Sequence, residues 1–331
     1  MLTEVAQHHF SGAVLVARAG HILLDKGYGL ANVEWSVPNS PNTKFRIGSL
    51  TKQFTATAIM QLRDAGRLQL QDSICKYLQP CAKTWQPVTL HHLLSHTSGI
   101  PDYGPASDPK NHAMPPWTAS QIAQAFRDKP LEFPPGSQWK YSDWGYCLLG
   151  LVIEKVTGKS YEAVLREQIF APLGMNDSGY DHSEITLKNR AAGYRWQEGR
   201  LRNAKYIDMD RPYAAGGLYS TLEDLYKWDQ ALYSGVILSQ KSLGLMWTEV
   251  LAHYGYGWIV VGPLPASKTP PWAVPEHLQI VHPGSIKGFT SEILRFPNER
   301  TTVIVLANLE DAHTVGSALG AVALTSNATR R

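Results

Sequence analysis

Charge of one sign, long apolar runs and cysteine are all scarce in this chain of 331 residues. Lys+Arg 31 against Asp+Glu 28 leaves a formal net charge of +3, and no window carries the roughly five or six successive like charges of an interaction tail. The electrostatic footprint of a nucleic-acid or anionic-membrane binder is missing, so no nucleic-acid partner is expected. No apolar run approaches the ~18 residues of a transmembrane helix. Met1 to Ser11 also lacks the basic and apolar segments of a signal peptide, so the chain is expected either to stay in the cytoplasm or to have shed a leader. Three cysteines are too few for a disulfide framework. Cys75 and Cys81 are close enough in sequence to pair in an oxidising compartment, and Cys147 reads as a small buried apolar residue. Without repeats, low-complexity tracts or heptads, oligomeric state is not legible.

Apolar residues make up 44% of the chain, ample for a large core. At about 150 residues per domain the length suggests two domains or one large discontinuous one. Gly12 to Arg18 and His21 to Tyr28 flank Ala19-Gly20 as a hairpin. From Ser49 to Ala65 apolar residues fall at Leu50, Phe54, Ala58, Ile59 and Leu62, a helical stripe that Gly66 ends. Further helical patterns cover Ser120 to Arg127, Tyr146 to Val156, Tyr161 to Ile169, Leu222 to Leu232 and Gln240 to Trp247. Strands return at Tyr256 to Val261, Leu278 to His282, Phe289 to Phe296 and Thr301 to Ala307, before a helix from Ala312 to Leu324. This order predicts a sheet domain from residues 1–48 and 250–331, interrupted by a mainly helical domain over 49–249, with the active site between them. The proline-rich stretch 259–277 reads as an extended loop beside that site.

Ser49-Leu50-Thr51-Lys52 is the sharpest chemical feature, because residues i and i+3 at a helix start share a face. A serine hydroxyl is a weak nucleophile, and a lysine made neutral by burial or nearby cations activates it. The helix N-terminus adds positive potential for a developing oxyanion. By itself the four-residue pattern also fits an N-cap serine beside a solvated lysine. Two further segments shift the balance. Tyr141-Ser142-Asp143 places a phenol on a loop before a helix, and His282-Pro283-Gly284-Ser285 ends a strand where glycine admits close approach to the backbone.

Together with Phe45-Arg46-Ile47-Gly48 before the serine, Leu93-Leu94-Ser95-His96-Thr97-Ser98-Gly99-Ile100 and Ala215-Gly216-Gly217-Leu218-Tyr219-Ser220, these segments resemble the serine β-lactamase and penicillin-binding-protein superfamily, in its class C-like branch, over nearly the whole chain. The branch holds class C β-lactamases, family VIII carboxylesterases, D-aminopeptidases and DD-peptidases. The resemblance implies an α/β fold of the α+β type, β-lactamase/transpeptidase-like, with a five-stranded antiparallel sheet flanked by helices and a mainly helical domain. It implies Ser49 as acylated nucleophile, Lys52 as base partner and Tyr141 as proton relay, with the oxyanion held by the amides of Ser49 and Ser285. It implies no cofactor, and its many exported members favour export.

Two positions depart from the branch's pattern. Pro283 lacks the hydroxyl that a threonine would offer a substrate carboxylate, and His282 is largely neutral near pH 7, which disfavours a potent β-lactamase. Asp143 stands where the branch usually carries asparagine. Ionised, it only accepts hydrogen bonds, so it either selects a substrate ammonium or hydroxyl or holds Lys52 charged. With Asp143, His282, Gly284 and Ser285 as substrate-binding or oxyanion residues, the expected activity is acyl-enzyme hydrolysis of small carboxylic esters. The alternatives are a D-amino-acid peptidase or amidase, a weak β-lactamase, and a penicillin-binding sensor with little turnover. Other patterns point to packing. His91, His92 and His96 lack an H-E-x-x-H context, so no metal is expected, and Gly158-Lys159-Ser160 lacks the first glycine of a P-loop because Ile153 stands there. No G-x-S-x-G elbow occurs. Tyr103, Trp144 and Tyr213 lie near the motif loops and are candidates to line an acyl pocket.

Overall fold

The computed structural model describes residues 10–102, 121, 129–312 and 315–325. The expected helix over Ser120 to Arg127 and Tyr103 lie outside them. The central sheet is built from β1 (Gly12–Arg18), β2 (His21–Tyr28), β3 (Ile259–Val261), β4 (Gln279–Ile286), β5 (Phe289–Phe296) and β6 (Thr301–Ala307), in the order β3-β4-β5-β6-β1-β2. All neighbours are antiparallel. Segments far apart in the sequence meet where Gly12 pairs with Ala307 and Arg18 with Thr301.

β1 reads as an unbroken apolar run because both faces of the sheet are covered. Ala13, Leu15 and Ala17 join the large helical core, while Val14 and Val16 pack with Val303, Val305 and Leu294 beneath the helix Val315–Thr325. The sheet therefore has six strands rather than five. β3 is a three-residue edge strand, shorter than the expected Tyr256 to Val261. Tyr254 and Tyr256 are spent instead on a turn that brings Gly257 (φ +74°) against the first turn of helix α1 (Thr51–Asp64), where a Cβ would stand 2.8 Å from the Lys52 carbonyl oxygen.

On the helical face, α1 packs beside α2 (Asp143–Thr157). Ser142 caps α2 by accepting the Gly145 N–H, and Gly158 closes it in the left-handed conformation, which accounts for the P-loop-like letters there. Helix α3 (Leu222–Ser234), from the middle of the chain, reaches the sheet, and its Asp229 pairs with Arg295 of β5. The proline-rich stretch folds away from the expected place: Val274 packs in the core under the C-terminal helix, and Ser317 of that helix donates to the Trp272 carbonyl. Trp272 and Val274 thus lie on the face of the sheet opposite Ser49. Cys75 and Cys81 form a disulfide, and Cys147 is free and buried. Among the described residues no helix is long and apolar enough to cross a membrane.

Candidate active site

Ser49 sits in a single 3-10 turn, Gly48–Leu50, that runs directly into α1. The turn is clamped on both sides. Ile47 donates its N–H to the Leu218 carbonyl at 3.0 Å, the Leu218 N–H reaches Thr51 Oγ1 at 3.3 Å, and Ser291 Oγ donates to the Ile47 carbonyl at 2.7 Å. Strand β4 presses against the turn so closely that two positions must be glycine. A Cβ on Gly284 would stand 2.2 Å from the Ile47 carbonyl oxygen, and one on Gly48, whose φ is +49°, would stand 3.0 Å from the Ser285 backbone. Because β3 pairs only with Gln279 to Val281, β4 runs on past it with that edge open. Pro283, which has no N–H to give a ladder, is tolerated there.

Lys52, one turn into α1, is completely buried. Its ammonium makes three hydrogen bonds: to Ser49 Oγ at 3.0 Å, Asp143 Oδ1 at 2.6 Å and the Ala215 carbonyl at 2.9 Å. An ammonium has three donors, so all are used. Burial, the largest influence, favours the neutral amine. The charge and hydrogen bond of Asp143, with help from Tyr141, outweigh it and hold Lys52 above its ordinary value. One turn further along, Thr55 Oγ1 bonds the Ala214 carbonyl at 2.7 Å and Tyr161 OH at 2.6 Å, which fixes the segment supplying the Ala215 carbonyl.

Tyr141 donates to Ser49 Oγ at 2.8 Å, and the Lys52 ammonium lies 4.8 Å from its ring centre. Burial raises its phenol, a shift the Lys52 cation only partly opposes. Ser49 Oγ therefore accepts hydrogen bonds from Lys52 and Tyr141 together. Asp143 opens α2 with its side chain 41% exposed, and its contact with Lys52 uses one carboxylate oxygen.

His282 faces inward from β4 and is buried. Its Nδ1 lies 2.6 Å from the Pro283 carbonyl, which can only accept, so Nδ1 carries the proton and Nε2 receives the Tyr254 hydroxyl at 2.9 Å. Burial, followed by the Lys52 cation, pushes His282 down to about 3. The same imidazole titrates near 6.5 in an unfolded chain. The unfolded chain thus binds the extra proton first, and the stability tied to neutral His282 is full above about pH 6.5 and lost as pH falls towards about 3. His96, also depressed by burial first and Lys52 second, acts in the same direction. His282→Gln is expected to flatten the fall in Tm between pH 7 and 4 without abolishing it. An unchanged slope would remove His282 from the acid response.

The structure brings Ser49, Lys52, Tyr141 and Asp143 into one hydrogen-bonded cluster and sets Gly284 and Ser285 against the turn that carries Ser49. His282 stands behind them, bonded to Tyr254. The proposed acyl-pocket aromatics go elsewhere: Trp144 is buried in the helical core, and Tyr213 packs on Tyr161 and Gly150. The histidine group disperses too. His91 Nδ1 pairs with Tyr256 OH, His92 completes a capping box with Thr89, and His96 Nδ1 accepts the Ser142 N–H. Sequence reasoning missed Tyr254 and the Ala215 carbonyl. Tyr254 carries no motif, and a carbonyl has no side-chain signature, although Ala215 lies in a segment that itself resembles the family.

The fold, and the serine at the start of a buried helix with lysine and tyrosine on its oxygen, are of the serine β-lactamase/transpeptidase type. The chain belongs to the Beta-lactamase family, whose match covers residues 3–326. It is 30% identical to penicillin-binding protein 4* of Bacillus subtilis (strain 168) over 92% of this chain and 69% of that one. The octameric penicillin-binding protein homologue from Pyrococcus abyssi superposes with a TM-score of 0.85 at 31% identity, covering 98% of this chain and 76% of that one. D-amino acid amidase from Ochrobactrum anthropi SV3, complexed with D-phenylalanine, superposes with a TM-score of 0.82 at 25% identity, covering 98% and 97%. The chain spans 62% to 69% of the length of the first curated relatives it matches.

Proposed function

We propose that this protein hydrolyses small carboxylic esters through an acyl-enzyme on Ser49. The reading is carried by the Ser49 oxygen, which lies 3.0 Å from Lys52 Nζ and 2.8 Å from Tyr141 OH. As Ser49 attacks the carbonyl, Lys52 passes one proton to Asp143 and takes the serine's proton. The oxyanion forms at the amides of Ser49 and Ser285. Tyr141 gives its proton to the leaving alkoxide and is reprotonated by Lys52, which regains a proton from Asp143. Each group returns to its starting state and the serine's proton has moved to the alcohol. Water then replaces the alcohol and the steps run in reverse to release the acid. Neutral acyl substrates are favoured, because His282 is uncharged, its ring nitrogens are engaged by Tyr254 and the Pro283 carbonyl, and Pro283 has no hydroxyl, so neither side chain offers a donor to a substrate carboxylate.

The test is an intact-mass time course with p-nitrophenyl butyrate or a penicillin, with Ser49→Ala as control. The reading expects a Ser49-dependent adduct that clears with the ester and persists with penicillin. Rapid penicillin turnover without accumulation would establish a β-lactamase instead, and an ester adduct that never clears would establish a binding protein with little turnover.

A second reading, hydrolysis of D-amino-acid amides, is favoured by the exposed carboxylate of Asp143, whose second oxygen is placed to receive a substrate ammonium. Asp143→Asn tests both roles of this residue. With the carboxylate gone, burial dominates at Lys52 and the amine loses its proton more readily, so the neutral amine takes the serine's proton without the transfer to Asp143, and kcat/KM is expected to gain an ascending limb set by Lys52. If Asp143 also binds ammonium, KM rises for a free-amine D-amino amide and not for its N-acetyl analogue. Equal changes for the two substrates would leave Asp143 with its lysine role alone.

A further inference from the structure

His96 lies outside the cluster around Ser49, yet it touches that cluster from both sides of Tyr141. Its backbone is left-handed, with φ at +58°, and the residue is 2% exposed. Residues other than glycine adopt that conformation uncommonly, histidine more readily than most, and here its surroundings hold it. The surroundings here are the loop carrying the phenol. The His96 carbonyl accepts the Lys140 N–H at 2.9 Å, and its Nδ1 accepts the Ser142 N–H at 3.2 Å. The peptide neighbours before and after Tyr141 therefore hang from one residue.

Because Nδ1 is an acceptor, the neutral ring carries its proton on Nε2, which is buried and has no hydrogen-bond partner among the described residues. The ring stacks on Tyr141 with centroids 4.4 Å apart and planes 38° from parallel. It also contacts Tyr254 at 4.5 Å and Tyr146 at 5.1 Å. A tyrosine on a loop has two side-chain torsions to settle before its hydroxyl can meet Ser49, and a misplacement of about 1 Å costs on the order of 100-fold in rate.

We infer that His96 is a positioning residue for Tyr141, holding the phenol at Ser49 by fixing the backbone on both sides of it and one face of its ring. The inference rests on the reading of Tyr141 as the group that moves the proton.

Two substitutions divide what His96 supplies. His96→Asn places an acceptor oxygen on Cγ, where Nδ1 stood, and tolerates the left-handed backbone, but loses the ring. His96→Phe keeps the ring and loses the acceptor. The measurement is the single-turnover acylation rate with saturating p-nitrophenyl butyrate, normalised to titrated active sites, in wild-type and Tyr141→Phe backgrounds. His96→Phe is expected to slow acylation by about 10- to 100-fold with the half-saturating concentration within about threefold. His96→Asn should recover most of that rate. In the Tyr141→Phe background neither substitution should cause further loss, since His96 acts only through the phenol. An equal loss in both backgrounds, or no loss in normalised rate, would overturn the inference. If His96→Phe does not fold, His96→Asn completes the same cycle with a smaller effect. A wild-type rate for Tyr141→Phe alone would instead remove the Tyr141 reading, and this inference with it.

Discussion

Ser49→Ala will lower kcat for p-nitrophenyl butyrate by on the order of 10⁴-fold or more and abolish the mass adduct, while leaving Tm close to wild type. The side chain lost is one hydroxyl that accepts from Lys52 and Tyr141. Lys52 keeps Asp143 and the Ala215 carbonyl, so no buried charge is stranded. The clamps on the turn involve Ile47, Thr51, Leu218 and Ser291 rather than Ser49, which is why loss of activity and loss of stability are expected to separate. A variant that still acylated at more than about 1% of the wild-type rate would place the nucleophile elsewhere.

The largest effect on stability falls far from that serine. Asp229→Ala will destabilise the protein by about 3–5 kcal/mol in urea unfolding, because it leaves the Arg295 guanidinium charged and unpaired in the interior. Both side chains are completely buried, with Arg295 Nε 2.5 Å from Asp229 Oδ1. The same oxygen accepts Thr302 Oγ1 at 2.8 Å. Tyr233 and Trp247 stack on the guanidinium, at 4.6 and 5.0 Å from its carbon. The pair joins α3 to β5 and β6, so its loss loosens the attachment of a helix to the sheet. Replacing both partners, as Asp229→Leu with Arg295→Met, is expected to recover much of the loss, because no uncompensated charge remains. A single variant within about 1 kcal/mol of wild type would show that the guanidinium reaches water.

Strands β5 and β6 are legible in the sequence to the residue, since β6 holds a compact apolar run and the Pro297 to Arg300 turn separates the two. Helix α1 is legible to within two residues. Its first turn winds as a separate 3-10 segment because Gly48 must yield to β4, and no periodicity in one segment reports the approach of another. The strand expected from Tyr256 is cut short for the same kind of reason, the contact of Gly257 with α1. Ser49, Lys52 and Tyr141 are readable because their letters recur in a family pattern. Tyr254 and the Ala215 carbonyl gain meaning only from partners 28 and 163 residues away. His96 was visible as a letter in a motif, but the two hydrogen bonds that bracket Tyr141 belong to the folded loop alone.

The pairing of β1 with β6 also has a meaning for synthesis. The hairpin β1–β2 can close as soon as its own residues have left the ribosome, yet the inner edge of β1 must wait for Thr301–Ala307. Until β6 has been made, the nascent chain carries an apolar strand without its partner, the kind of edge that recruits other chains. The same delay applies to the candidate site: Ser49, Lys52 and Tyr141 are made before Ser285, so the site is complete only once β4 has joined the sheet.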